Sequence, residues 1–384
     1  MLLLKQILLV IFYLFSPLLV LHLNHRYKFV NKLGAVVVAY LVGLLLGNLP
    51  ILPEGSYAIQ DTITAIVIPL AIPLMLFSSN LRDAMHLARR TMIAMIIGIF
   101  SVTVIVVIGY LTLRGQEDDL WKIAGMLIGV YTGGTPNLAS LKFMLGVDDT
   151  HYLITHTSDL IISGVYFFFL ISVGQRVFNW VLPVTPKGTH QADDFTEMDG
   201  SDPYWGMLKR DKYIPLLKAF ALAVAIFAVA GGASFLFPAS YQVPVVMLLI
   251  TTLGLAASFV PAFNRIEKSF ELGMYLVLVF SVVVASMVSI PDLINGAPTL
   301  FYYVSMVIFG SLVLQVILSR IFKIDTDTVI ITSTALICSP PFVPVVAGAL
   351  HNRRIVVPGL TVGIIGYAIG NYLGFVIAEL LKNW

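Results

Sequence analysis

Twelve long apolar runs follow one another along the chain, at roughly residues 2–21, 33–49, 62–79, 91–113, 120–145, 152–182, 214–236, 242–260, 269–290, 299–322, 327–350 and 355–381. Each is close to the length an α-helix needs to cross a hydrocarbon core about 30 Å thick at about 1.5 Å per residue. Lipid offers no partner for a backbone N–H or C=O, so such runs fold as helices and not as open strands. The alternating segments of a transmembrane barrel are absent. Composition agrees: 58% of the 384 residues are hydrophobic and 11% are charged. A soluble domain carries about 25% charged residues. The sequence therefore predicts an all-α, polytopic membrane protein in contact with membrane lipid.

The first run could pass for a secretory leader, but no small-residue cleavage site precedes His22, Leu23, Asn24, His25 and Arg26. It reads as a retained first transmembrane helix. A single cysteine, Cys338, excludes a disulfide framework and a Cys-rich metal site. No basic stripe with interleaved aromatics marks a nucleic-acid surface. Nothing in the sequence calls for a cofactor. Trp121, Trp180, Trp205 and Trp384 fall near segment ends, as an interfacial aromatic belt places them.

One long polar stretch, residues 183–213, divides the chain almost in half and reads as a cytoplasmic linker. It separates an N-terminal transmembrane repeat, 1–182, from a C-terminal one, 214–384. A shift of roughly 207 residues carries each run of the first half onto one of the second. The fifth run is broken at Gly133-Gly134-Thr135-Pro136-Asn137, and the eleventh at Ser339-Pro340-Pro341-Phe342-Val343-Pro344. Breakers at corresponding places in two halves are the sequence pointer to a transporter site.

Charge suggests the path. With the N-terminus outside, Arg26, Lys28 and Lys32, then Arg82, Arg89 and Arg90, fall in cytoplasmic loops, and Glu54, Asp61, Glu117, Asp118 and Asp119 fall outside. The later basic loops, Arg265 with Lys268, Arg320 with Lys323, and Arg353 with Arg354, also fall inside if both broken runs enter and return on one side. That path gives five crossings and one re-entrant segment per half, hence two inverted repeats. A discontinuous helix that crosses fully fits the lengths as well.

The breaks hold the first candidate residues. Gly133 and Gly134 admit backbone angles closed to other residues. Pro136 suits the first turn of a following half-helix, which Asn137 and Ser140 would begin. The free N–H groups there suit a carboxylate. Carbonyls near Tyr131 and Thr132, with the hydroxyls of Thr132 and Thr135, suit a cation. At the second break Ser339, Pro340 and Pro341 forbid a continuous helix, and Ser333 and Thr334 add hydroxyls. A simpler account makes both breaks kinks for packing.

Asp159 follows the first break in an apolar helix, where an ionisable side chain is costly and functional by default. Thr155 and Ser163 lie four residues either side on the same face, and His156 and His151 are close by. Asp159 is the candidate for a coupling Na⁺ or H⁺, against a bland reading in which it bonds local hydroxyls. The last helix has Gly359, Gly363, Gly366, Gly370 and Gly374, a face for close packing, with Asn371 as a secondary polar candidate. Ser78, Ser79 and Asn80 end the third run and either reach a cavity or cap a helix. Lys142 reads as a snorkelling side chain. Gly43 and Gly47 read as a helix contact.

The broken segments, the duplicated halves and the polar linker resemble the YjcL-like family of membrane proteins, over essentially the whole chain. That family is similar in plan to the sodium:glutamate symporters and, more distantly, to the bile-acid-symporter and cation/proton-antiporter superfamily. The resemblance implies a core holding the broken segments, a scaffold beside it, dimerisation through that scaffold, and a bacterial plasma (inner) membrane location. It also places Asp159 where the antiporters keep an ion-binding acid. Gly133 and Gly134 match the symporters' vertex glycines. Pro136 replaces the third glycine, and the second vertex, Cys338-Ser339-Pro340-Pro341, has none.

The function expected is secondary active transport of a small organic anion or zwitterion, such as an amino acid, short peptide or carboxylate, coupled to Na⁺ or H⁺. No Walker motif is present to drive it with ATP. An intramembrane enzyme is the alternative, but no nucleophile elbow, zinc motif or intramembrane aspartate pair stands out. The Asp-Asp pairs at 118–119, 148–149 and 193–194 read as loop residues. A channel is the other alternative, usually built by oligomer symmetry and not by duplication within one chain.

Overall fold

The computed structural model describes residues 2–27, 35–77, 89–117, 119–184, 210–288, 290–291, 297–350 and 352–384. Ser78, Ser79, Asn80, Lys28, Lys32, Arg82, Asp118, Asp193, Asp194, Trp205 and most of the 183–213 linker lie outside the described residues.

The apolar runs become helices. These are α1 (Leu2–Arg26), α2 (Ala35–Asn48), α3 (Ser56–Phe77), α4 (Arg89–Leu113), α5 (Leu120–Leu145) and α6 (Asp149–Phe169), which continues through a π turn, Leu170–Gly174, into Gln175–Phe178. The second half gives α7 (Arg210–Ser234), α8 (Ala239–Ser258), α9 (Ser269–Ser286), α10 (Ala297–Ile321), α11 (Thr326–Ser333), α12 (Val343–Ala349) and α13 (Val356–Lys382). No strand occurs among the described residues. Nine helices among them are long and apolar enough to cross a membrane; α2, at 14 residues, is shorter.

Both broken segments fold back on themselves. Gly125 and Leu145 are 20 residues apart, about 30 Å along an unbroken helix. Yet a Cβ on Gly125 would sit 2.8 Å from Leu145 Cδ1, and one on Gly129 would overlap Leu141. At the open end of this hairpin the Lys122 ammonium donates to the Gly146 carbonyl at 3.4 Å. The second hairpin closes likewise: Asn352 Nδ2 donates to Asp327 Oδ2 at 2.9 Å across 25 residues. Ile331 on one arm and Val343 on the other meet the same spot, Gly359 of α13. In the chain path each broken segment therefore folds back as a hairpin.

The hairpin makes a sharp expectation for labelling. In a Cys338→Ser background, Gln116→Cys and Thr150→Cys should react with an impermeant maleimide from the same face of a sealed vesicle, and Val184→Cys, beyond α6, from the other. Gln116→Cys and Thr150→Cys reacting from opposite faces would mean that α5 crosses.

Packing is most extensive within two groups of helices. In one, α9 packs on α2 and α3, α8 on α3 and α7, and α1 on α9. In the other, α13 lies along α5, and α10 lies along α4 and α6. Small residues set the close approach: a Cβ on Gly43 would overlap the Val282 carbonyl, and one on Gly47 the Ser286 carbonyl, so α2 sits backbone to backbone on α9. Beside them a buried polar triad ties three helices together. Gln60 Nε2 donates to the Tyr13 hydroxyl at 2.8 Å and to Ser286 Oγ at 2.9 Å, and those two oxygens are 2.7 Å apart.

Candidate functional site

The tips of the two hairpins meet. Gly134 has φ 69° and ψ −169°, a region essentially restricted to glycine. A Cβ there would lie 2.8 Å from Ser339 Oγ. Ser339 forms the other tip with φ 83° and ψ 156°, the same region, now held by a residue with a side chain. Such a conformation costs on the order of 1–3 kcal/mol and persists only where the surroundings impose it. The first arm delivers its final carbonyls at Tyr131 and Thr132, and Pro136 opens the second arm. On the other side a π turn, Thr334–Cys338, leads into Ser339, and a 3-10 turn, Pro340–Phe342, leads out.

Helix α13 is the surface on which both tips rest. A Cβ on Gly366 would overlap the Thr132 carbonyl oxygen, and one on Gly363 would overlap Pro340. The glycine face read from the sequence is thus a packing face, as expected. Asn137 is used there too: its Nδ2 donates to the Tyr367 carbonyl at 3.3 Å and the Gly366 carbonyl at 3.5 Å. Ser140 Oγ turns to Met144 Sδ at 3.6 Å, and Thr132 Oγ1 back to the Ile128 carbonyl at 2.7 Å. These three candidates brace the hairpin.

Asp159 lies ten residues into α6, about 15 Å along its axis, and is 6% exposed. Ser163 Oγ donates to its Oδ1 at 2.8 Å. The Tyr131 hydroxyl, at the end of the first hairpin arm, faces the same carboxyl but stands outside hydrogen-bonding geometry. Thr155 Oγ1, on the Asp159 face of α6, is buried and has no partner. Cys338, from the second tip, also lies near the carboxyl. One carboxylate, one satisfied hydroxyl and two unsatisfied ones therefore gather where the hairpins meet α6. Buried oxygens are rarely left unpaired, and hard oxygen donors of this kind are what a Na⁺ ion or a proton-bearing carboxyl would use.

His156 is placed otherwise. Its Nδ1 pairs with the Tyr40 hydroxyl of α2 and lies 3.3 Å from that of Tyr152, and its Nε2 lies 3.3 Å from Thr135 Oγ1. These contacts run from Thr135 at the first tip, through the His156 ring, to Tyr40 on α2. His156 thus joins the first tip to α2 instead of reaching Asp159. Asn371 also faces away from the tips: its Nδ2 donates to Thr251 Oγ1 of α8 at 3.1 Å, with its Oδ1 unpartnered. Lys142 does not snorkel; it is 8% exposed and pairs with Asp149 at 2.8 Å. Ser333 Oγ meets the Tyr166 hydroxyl at 2.5 Å. Sequence reasoning missed the hydroxyls of Tyr131, Tyr40 and Tyr166, because an aromatic in an apolar run reads as core.

A family model described as "Protein of unknown function (DUF819)" matches residues 10–384, a stretch that takes in both hairpins, α6 and α13. The chain belongs to the DUF819 family. The chain is also similar to the "Uncharacterized membrane protein YjcL" of Bacillus subtilis (strain 168), 25% identical over 377 residues, covering 94% of this chain and 92% of that protein. The YjcL-like membrane family expected from the broken segments is therefore the family found, and the chain is a membrane protein.

Proposed function

We propose that this DUF819 protein is a secondary active transporter that moves a small organic anion or zwitterion by alternating access, coupled to Na⁺ or H⁺ at Asp159. The observation that carries the reading is the buried carboxyl of Asp159, set where two opposed hairpin tips meet and accompanied by the unpartnered hydroxyls of Tyr131 and Thr155. The substrate would bind at the tips, where Thr135 and Ser339 are the partly exposed polar side chains. The ion would bind one layer behind, against Asp159, Thr155 and Ser163.

The proposed architecture is two inverted repeats, 1–182 and 214–384, joined by a cytoplasmic linker, in a bacterial inner membrane with the N-terminus outside. Matched contacts favour it. Helix α1 packs on α9 as α7 does on α3, and α2 packs on α9 as α8 does on α3. Tyr40 of α2 reaches His156 of α6, 116 residues on, and Thr251 of α8 reaches Asn371 of α13, 120 residues on. The group containing α2, α3, α8 and α9 would be the fixed scaffold, and the group with the hairpins the moving core.

Purified protein in sealed liposomes, offered labelled amino acids, short peptides and carboxylates, should accumulate one class when a Na⁺ or H⁺ gradient is imposed and lose that accumulation when an ionophore collapses the gradient. Flux that no gradient concentrates would point to a channel. The absence of any flux from folded protein would return an enzyme to consideration.

A further inference from the structure

We infer that a cavity at one end of α7, away from the hairpin tips, is a binding site for the headgroup of an anionic phospholipid. The cavity holds about 420 Å³ and is lined by Lys212, Pro215, Pro261, Ala262, Arg265, Ile266 and Glu267. It lies where α7 begins, α8 ends and α9 begins, which for membrane-spanning helices is one surface of the bilayer. Headgroups are found at that depth, and basic pockets between helix ends are where anionic ones dock.

Two features give the cavity its chemistry. Lys212 and Arg265 both line the cavity, one from α7 and one from the connection between α8 and α9, so a phosphate held there would lie beside two cations. Lys212 is held in place by Glu267 at 2.9 Å, while the Glu267 side chain is itself 71% exposed, at the rim. Lys268 adds a further positive charge next in the chain, paired with Glu271 at 3.5 Å. In sequence, Lys209 and Arg210 come just ahead of Lys212. With Lys212 and Arg265 set against Glu267, the pocket keeps a net positive charge.

The second feature distinguishes a lipid from a free phosphate. The first turns of α7 continue from the cavity with exposed Tyr213, Ile214 and Leu217, and the α8 end adds exposed Phe259 and Val260. These exposed apolar side chains neighbour the lining residues Lys212, Pro215 and Pro261 in the chain, so a ligand with a phosphate and acyl chains is served at both ends. A soluble anion would use only the first. Pro215 and Pro261 shape the wall without adding donors. The inference concerns the scaffold and stands whether or not the chain transports.

Native mass spectrometry of the full-length protein tests it. Wild-type protein loaded with phosphatidylglycerol should keep a bound lipid through delipidation, and protein loaded with phosphatidylcholine should not. The Lys212→Gln/Arg265→Gln variant should lose retention roughly tenfold or more, since each basic residue near a surface contributes to holding an anionic lipid. Arg265→Gln alone, at an exposed position, serves where the double variant does not fold, and should lose several-fold. Arg114→Gln, near the far end of the chain's last helix, controls for general loss of charge and should retain lipid as wild type does. Equal retention in wild type and Arg265→Gln, or equal retention of the two lipids, would overturn the site. Displacement of phosphatidylglycerol by millimolar inorganic phosphate would overturn the lipid assignment and leave an anion pocket.

Discussion

Gly366→Ala is expected to destabilise the protein by about 3 kcal/mol or more, although alanine is the better helix former. The reason is geometric. The new methyl would overlap the carbonyl oxygen of Thr132, at the end of the first hairpin arm. That obstacle is backbone, and it is pinned: Asn137 holds the hairpin to the carbonyls of Gly366 and Tyr367, and Pro340 presses the second tip against Gly363, one turn before. Neither element can yield without separating the tips. The comparison is Gly164→Ala on α6, where an added Cβ meets nothing within 4 Å. There the helix propensity acts alone and the change should stabilise by about 0.5–1 kcal/mol. Thermal unfolding in a single detergent checks both, with the midpoint falling by several degrees for the first and holding or rising for the second. A Gly366→Ala midpoint equal to that of Gly164→Ala would mean that α13 does not carry the hairpin as described.

The same contacts show what could be read from the residues alone. The hairpins were legible as breaks, because the clusters Gly133-Gly134-Thr135-Pro136 and Ser339-Pro340-Pro341 disfavour a continuous helix and the matching position of the two marks was visible. Folding back rather than crossing was favoured by the charges of the later loops, but the contacts that make it, Leu145 returning to Gly125 and Asn352 reaching Asp327, are pairings that no local pattern encodes. Glycine spacing on α13 was enough to identify a packing face. The partner on that face was a carbonyl at a half-helix end, which spacing does not reveal. At the second tip a serine takes a backbone conformation that sequence rules reserve for glycine, so the vertex read at Cys338-Ser339-Pro340-Pro341 could not be narrowed to Ser339. Asp159 stood out as an isolated acid in an apolar helix. Thr155 and Ser163 stood out with it by their spacing on α6; the Tyr131 hydroxyl did not, and whether a hydroxyl is satisfied depends on three-dimensional neighbours. Asn371, a secondary polar candidate in sequence, faces Thr251, since a rotation of one residue on a helix is enough to change which neighbour it meets.

Asp159→Asn should abolish ion-driven accumulation, by about a hundredfold or more, while leaving the protein at least as stable as before. The two halves of that expectation come from one fact. A carboxyl about 15 Å inside a membrane helix is costly, on insertion scales about 2.5–3.5 kcal/mol for the charged form. Among the described residues, its hydrogen-bond donor within geometry is Ser163, at 2.8 Å. An amide of the same shape accepts from Ser163 as well and carries no charge to desolvate, so a residue serving only to bond its neighbours would be replaced without loss of function. A residue that binds the coupling ion would lose its function and relieve its cost together, the trade expected of a site kept against stability. Ion binding adds a readout independent of the substrate: at ten times the dissociation constant, Na⁺ would stabilise wild type by about 1.4 kcal/mol, and Asp159→Asn should show no such gain on exchange of choline for Na⁺. If the coupling ion is H⁺, the Na⁺ gain is absent from both proteins and the variant instead loses the dependence of uptake on the pH gradient. Thr155→Val, which removes an unpartnered buried hydroxyl, should weaken Na⁺ binding and leave proton-driven uptake intact, which separates the two ions. Uptake by Asp159→Asn with wild-type ion dependence would remove Asp159 from the mechanism and leave the hairpin tips as a substrate site without a coupling partner.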